Sequence, residues 1–261
     1  MGPFAPKPPP GQPPYIIAHR GISAKAPENT LAAVDLACAT PGIDMIELDV
    51  RLSKDEEVIV LHDRTLQRTS TGNGAAREYA LEELKQFDAG SWFHPSFGRE
   101  RIPTLREILK LVSGRRWVNI ELKSDFLHRE KPLLLERKVM EVTESLGMGR
   151  FVLFSSFDHR MIANIERVNP EAITGVIYNA YRDIGRLPSK LAGRAGASVF
   201  VCAKHELTAG MMRDAHQHGL AVYIYTLNSA VNAKKMAELG ADGILSDNAD
   251  DIVQTLKGDK A

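Results

Sequence analysis

The chain has 261 residues, of which 44% are apolar and 25% charged, and 33 basic side chains balance 33 acidic ones for a formal net charge of zero. Those proportions are ordinary for a soluble globular protein, and the length suits one (β/α)8 barrel of about 250 residues or two smaller domains. A neutral chain has no global field to draw in nucleic acid or anionic lipid, so neither nucleic-acid binding nor stable membrane association is expected, and any pull on an anionic substrate must be local.

Residues 1–14, MGPFAPKPPPGQPP, are rich in proline and glycine and read as a disordered or polyproline tail, so folding is expected to start at Tyr15 and run to 257. The tail lacks the apolar core of a signal peptide, and no run approaches the roughly 20 apolar residues of a membrane span. Cys38 and Cys202 each sit in an apolar stretch and read as buried free thiols. Together these features favour a cytoplasmic location.

Strand-like runs then alternate with helical patterns. The runs are YIIAH from Tyr15, DMIELDV from Asp44, VIVLH from Val58, WVNIEL from Trp117 and FVLFSS from Phe151, then ITGVIY from Ile173, SVFVC from Ser198, AVYIYT from Ala221 and DGILS from Asp242. Several are too uniformly apolar for a half-exposed antiparallel sheet and suit buried parallel strands. Amphipathic stretches such as NTLAAVDLACA, PLLLERKVMEVTESL and SAVNAKKMAELG lie between them, which predicts an α/β barrel or a doubly wound sheet. One run is surplus to a barrel. VIVLH follows the preceding strand after only Lys54 to Glu57, too short for a parallel crossover but right for a hairpin. A turn at Lys54–Glu57 would set Ser53 opposite Val58 and Asp49 opposite His62. The polar segment that follows, about 63–116, reads as a small helical insertion.

Alternation places Glu47 and Asp49 on one strand face, and Glu121 and Lys123 of IELK on another. Carboxylates in apolar strands are costly unless solvated, paired or bound to a cation. Polar residues at the C-terminal ends of barrel strands converge on the mouth. Three carboxylates from two strands make an oxygen-only site that suits Mg²⁺ or Ca²⁺ better than zinc. The rival expectation is a set of salt bridges, for example Lys123 to Glu47. The first strand ends in His19-Arg20-Gly21, where Gly21 permits a sharp exit, Arg20 can fork onto phosphate and Asn29 is a plausible N-cap. His19 and His62 arise from separate strand ends and are suited to exchanging protons with a substrate. His94, His205, Phe93 and Phe97 are weaker candidates, expected on loops or packed within the insertion. His128, His159, His216 and His218 read as surface residues.

The stretches HRGISAKAPENT, IELDVRLSKDEEVIVLHDRTLQRTS, DAGSWF, RIPTLREIL, IELK, FSSFD, LTAGMMRDAHQHGLAVYIYTLN and DGILSDN run in one order over nearly all of the chain from Tyr15 to Asp250. In these the chain resembles the glycerophosphodiester phosphodiesterase family of the bacterial cytosolic type. The resemblance implies a TIM (β/α)8 barrel with a small, mostly helical insertion. It implies hydrolysis of small glycerophosphodiesters to glycerol 3-phosphate and an alcohol. It also implies a divalent cation on Glu47, Asp49 and Glu121, acid/base roles for His19 and His62, phosphate contacts from Arg20 and Lys123, and a site contact from Asn29. The chain departs from the family pattern at Tyr225, where tryptophan is common; tyrosine keeps an aromatic wall but adds a hydroxyl. Ala249 and Thr71 are lesser departures. Two alternatives stand beside this reading. A lysophospholipid or sphingomyelin-type phosphodiesterase would want an apolar lip, which only the insertion is expected to supply. A catalytically silent binding barrel would have lost a metal or histidine position, and none is lost.

Overall fold

The computed structural model describes residues 12–124, 131 and 133–258, so residues 1–11 of the expected tail and His128 lie outside the described residues. Among the described residues nine strands form, and each coincides with one of the nine apolar runs: β1 (Tyr15–His19), β2 (Met45–Leu52), β3 (Val58–Val60), β4 (Trp117–Leu122), β5 (Val152–Ser156), β6 (Ile173–Ile177), β7 (Val199–Ala203), β8 (Ala221–Tyr225) and β9 (Gly243–Ser246). Eight are parallel and neighbour one another in the order β1-β9-β8-β7-β6-β5-β4-β2, and pairing of β1 with β2 closes the barrel. The surplus strand, β3, pairs antiparallel with β2 as a hairpin.

Alternation along each strand separates two cores. Ile16, Ala18, Ile46, Leu48, Val50, Val118 and Ile120 face outward into the layer shared with the helices. Tyr15, Ile17, Met45, Leu153, Val201, Tyr223 and Leu245 fill the barrel interior. The inward face of β1 therefore reads Tyr15, Ile17, His19, and that of β2 reads Met45, Glu47, Asp49. It is apolar at the base and charged at the C-terminal end, where barrel active sites form.

The hairpin register differs by one residue from the expected pairing. Val50 lies opposite Val60 and Leu52 opposite Val58, which puts Leu61, not His62, across from Asp49; the Leu61 amide donates to the Asp49 carbonyl at 2.9 Å. Ser53 pairs with Glu57 through its amide (3.0 Å), so the loop has three residues, Lys54 to Glu56, and Glu56 takes a left-handed φ of 64°. Three-residue hairpin loops characteristically end in such a residue.

Within the segment about 63–116, a small core of Leu66, Ala76, Leu84, Ala89 and Ile102 packs on Ile59 and Leu61. Its helices are short, with α2 spanning Leu81–Leu84 after α1 (Leu31–Ala39) of the barrel. The last helix of the segment, α3 (Leu105–Val112), buries Leu105, Ile108, Leu109 and Val112 in the main core and so packs as a barrel helix. Among the described residues, no helix is long and apolar enough to cross a membrane.

Candidate active site

Strand register builds the site. His19 aligns with Glu47 across β1 and β2, and Asp49 aligns with Glu121 across β2 and β4. Each pair thus projects from adjacent strands onto the same inward face. Oxygens of Glu47, Asp49 and Glu121 lie within 4.8 Å of one another, and all three residues are buried. Burying three carboxylates this close costs several kcal/mol per ion unless positive charge compensates them.

Part of that charge comes from the chain. Lys123 Nζ lies 2.8 Å from Asp49 Oδ1 and hydrogen-bonds Glu121 Oε1. Arg20 donates its amide to Glu47 Oε2 (3.0 Å) and holds Nε 3.2 Å from Asp49 Oδ2. Lys123 therefore pairs with Asp49 and Glu121 rather than with Glu47. Compensation is incomplete: Glu47 Oε1 is buried without a hydrogen-bond partner among the described residues. An all-oxygen donor set with a bare buried carboxylate oxygen fits a hard divalent cation.

The pKa pattern agrees. Burial, then repulsion from Asp49, pushes the Glu47 carboxyl up to about 8. Burial likewise raises Glu121, whereas Lys123 and Arg20 overcome the burial of Asp49 and hold it well below the usual range. A carboxyl with a raised pKa is protonated below that value and must lose the proton to bind a cation. Mg²⁺ or Ca²⁺ affinity is thus expected to rise as pH increases from 6 to 8, and binding at pH 6 should release about one proton. Calorimetry in buffers of different ionisation enthalpy checks this; affinity that is flat between pH 6 and 8 would contradict it.

The two histidines stand on either side. His19 donates Nδ1–H to Asp247 Oδ1 at 2.6 Å, with its Nε2 3.8 Å from Glu47 Oε2. Burial disfavours the imidazolium, but the Asp247 bond and the Glu47 charge outweigh it and raise the pKa. His62, just beyond β3, donates Nδ1–H to Asp63 Oδ1 at 2.6 Å, and its carbonyl accepts from Arg51 Nε (3.0 Å) and Nη2 (2.7 Å). Burial lowers its pKa; Asp49 opposes, while Lys123 and Arg20 reinforce the fall. Each ring thus has one nitrogen tied to a carboxylate, the arrangement that fixes a tautomer and orients the other nitrogen.

Asn29 is not the N-cap. Thr30 takes that role, its Oγ1 accepting from the Ala33 amide at 3.3 Å, because Asn29 is turned the other way with φ 59°. There Asn29 Nδ2 donates to Asp49 Oδ2 at 2.8 Å and Oδ1 accepts the Asp49 amide at 3.3 Å, which fixes the carboxylate. Gly21, with φ 83°, brings this loop so near α1 that a Cβ would fall 2.6 Å from Ala33 backbone atoms.

The charged groups border a cavity of about 170 Å³, floored by Ile177, Val201 and Leu245 and walled by Phe157 and Tyr225, which meet edge to face at 6.4 Å. A second, wider opening of about 510 Å³ lies beyond His19, beside Ser23, Lys25, Asn228 and Asp247. Seven of the nine expected residues, His19, Arg20, Glu47, His62, Glu121, Lys123 and Tyr225, line the smaller cavity; Asp49 lies behind them against Lys123 and Arg20, and Asn29 behind Asp49. Sequence reasoning missed Asp247, together with the Asn228 (2.6 Å) and Ser23 (3.1 Å) groups that hold it. Its one signal was a carboxylate one residue past β9. Among the weaker candidates, Phe93 packs between Trp92 and Phe97 inside the insertion, and His94 accepts from the Ser96 amide. His216 binds Asp242 at 3.0 Å, and His218 Nδ1 binds the Asp214 carbonyl at 2.8 Å.

The model of the glycerophosphoryl diester phosphodiesterase family matches residues 19–251. The chain is 36% identical over 241 residues to YhdW of Bacillus subtilis, covering 92% of this chain and 97% of that one. It is 32% identical over 244 residues to the glycerophosphodiester phosphodiesterase of Caldanaerobacter subterraneus subsp. tengcongensis, covering 93% and 97% of the two chains. Among solved structures, a phosphodiesterase of Oleispira antarctica in complex with the product sn-glycerol-3-phosphate superimposes with a TM-score of 0.85 at 30% identity, covering 94% of this chain and 97% of that one.

Proposed function

The chain belongs to the glycerophosphoryl diester phosphodiesterase family, and from that membership we propose that residues 15–257 act as one cation-dependent catalytic domain that hydrolyses small glycerophosphodiesters to glycerol 3-phosphate and an alcohol. The observation that carries the reading is a cluster of three carboxylates, two of them lining one cavity together with two carboxylate-tethered histidines.

Glu47, Asp49 and Glu121 would hold Mg²⁺ or Ca²⁺, which when bound supplies Lewis-acid charge to the phosphate. Arg20 and Lys123 add fixed positive charge at the same end of the barrel, where negative charge grows on the phosphoryl oxygens in the transition state. Asp247 and Asp63 hold Nδ1 of His19 and His62, so Nε2 of each ring is left to exchange protons. One imidazole takes the proton of the attacking hydroxyl and the other protonates the departing alkoxide. Tyr225 and Phe157 border the carbon skeleton of the substrate. Two free buried cysteines fit a cytoplasmic location.

The test is hydrolysis of glycerophosphocholine, glycerophosphoethanolamine and lysophosphatidylcholine with Mg²⁺, Ca²⁺ or EDTA. Turnover of the water-soluble diesters, abolished by EDTA, is expected; no turnover with either cation would contradict the reading. One observation favours the lysophospholipid alternative. The excursion after β6 exposes Tyr181 (98%) and Ile184 (77%) on the mouth side, an apolar lip outside the insertion from which the sequence alone predicts one. The neutral chain and small cavity weigh against it, so kcat/KM should be higher on glycerophosphocholine than on lysophosphatidylcholine. The reverse order would overturn this preference, and Tyr181 and Ile184 would then be the residues to change.

A further inference from the structure

Arg68, on the loop after β3, links the two halves of the site. One edge of its guanidinium donates Nε to Asp63 Oδ2 (2.5 Å) and Nη2 to Asp63 Oδ1 (3.1 Å). The other edge donates Nη1 to Glu28 Oε2 and Nη2 to Glu28 Oε1, both at 2.8 Å. Asp63 Oδ1 also accepts His62 Nδ1–H, and Glu28 Oε1 also accepts Arg20 Nη1 at 2.8 Å. The result is an unbroken chain, His62–Asp63–Arg68–Glu28–Arg20, whose two ends line the cavity.

We propose that Arg68 is a positioning residue that holds His62 and Arg20 in one array by forking its guanidinium between Asp63 and Glu28. The inference rests on the roles given to His62 and Arg20 in the proposed function.

Stability does not explain this arrangement well. The Arg68 side chain is 44% exposed, so solvent screens the bridge and limits what its two forks add to folding. Geometry does explain it. The His62 backbone is fixed by Arg51, but the direction of its ring depends on Asp63. Asp63 and Glu28 are two carboxylates drawn to one cation, and without that cation they repel. The Arg68 bonds are the foremost cause holding the Asp63 carboxyl down at about 2, so it stays a charged acceptor for the imidazole. Two carboxylates gripped from two edges require a planar fork; a lysine ammonium is a point charge and cannot supply both edges.

The experiment uses the full chain on glycerophosphocholine at saturating Mg²⁺ or Ca²⁺, well below the unfolding temperature. Arg68→Gln and Arg68→Lys are both expected to lower kcat about tenfold or more, as small misplacements of catalytic groups do, with Tm little changed. A double-mutant cycle supplies a second readout. With Arg68 present, the loss in kcat/KM of Asp63→Asn combined with Glu28→Gln should fall short of the product of the single losses by about fivefold. In the Arg68→Gln background that coupling should vanish. Wild-type kcat in Arg68→Gln, full rescue by lysine, or independent Asp63 and Glu28 losses with Arg68 in place would each overturn the inference. A slow His62→Ala beside a fully active Arg68→Gln sinks this inference alone, whereas a fully active His62→Ala sinks the reading of the site.

Discussion

Replacing either histidine with alanine is expected to lower kcat by about 10²-fold or more, the usual scale for a general acid or base, with a smaller change in KM. The expectation follows from what each ring touches. His19 and His62 reach the cavity from different strand ends, and neither ring belongs to the apolar core: His19 is tied to Asp247, just past β9, and His62 to the adjacent Asp63. In the proposed roles, removing an imidazole takes away a proton carrier and leaves the carboxylates in place to hold the cation and Arg20 and Lys123 in place to bind the phosphate. The carboxylate partners supply an internal check. Asp247→Asn keeps the shape but forfeits the charge that supports the imidazolium of His19, so it should reproduce part of the His19→Ala loss in kcat. Rates for each variant, measured at saturating substrate with folding verified by circular dichroism, decide the matter. Near-wild-type kcat in His19→Ala or His62→Ala would remove that residue from the chemistry.

The barrel was legible in the sequence because its strands are buried on both faces and so appear as continuous apolar runs, and because a four-residue gap rules out a parallel crossover before β3. The carboxylate cluster was legible for a related reason: IELD and IELK place charges at spacing two, and two such charges in a buried strand demand a partner. The hairpin register was not legible. A three-residue and a four-residue loop are both compatible with Ser53-Lys54-Asp55-Glu56-Glu57, and the left-handed Glu56 is not a residue type that announces that conformation. Asn29 and Thr30 are adjacent and both cap helices well, so only the turn at Asn29 decides that threonine caps α1 while asparagine holds Asp49. Asp247 was hidden by distance. Its contact with His19 exists only because β9 closes against β1, where Ala18 lies opposite Ser246. The Arg68 bridge is hidden in the same way, since Glu28, on the loop after β1, and Asp63, just past β3, are joined only through Arg68.

In the proposed function, Glu47, Asp49 and Glu121 bind one divalent cation on which turnover depends. Glu121 is the most telling position, since it lies on β4 whereas the other two share β2. If the three act together, Glu121→Gln should weaken cation binding and nearly abolish turnover, because an amide keeps the shape but loses the charge that holds a hard ion. EDTA should silence the wild type, and Mg²⁺ or Ca²⁺ should restore it. If Glu121 serves only as the partner of Lys123, its loss would lower Tm and leave activity at low temperature intact. The decisive measurement is calorimetric cation affinity together with turnover of Glu121→Gln below its unfolding transition. A folded protein with weakened cation binding and almost no turnover is expected; a folded, active variant with unchanged cation affinity would rule out the three-carboxylate site.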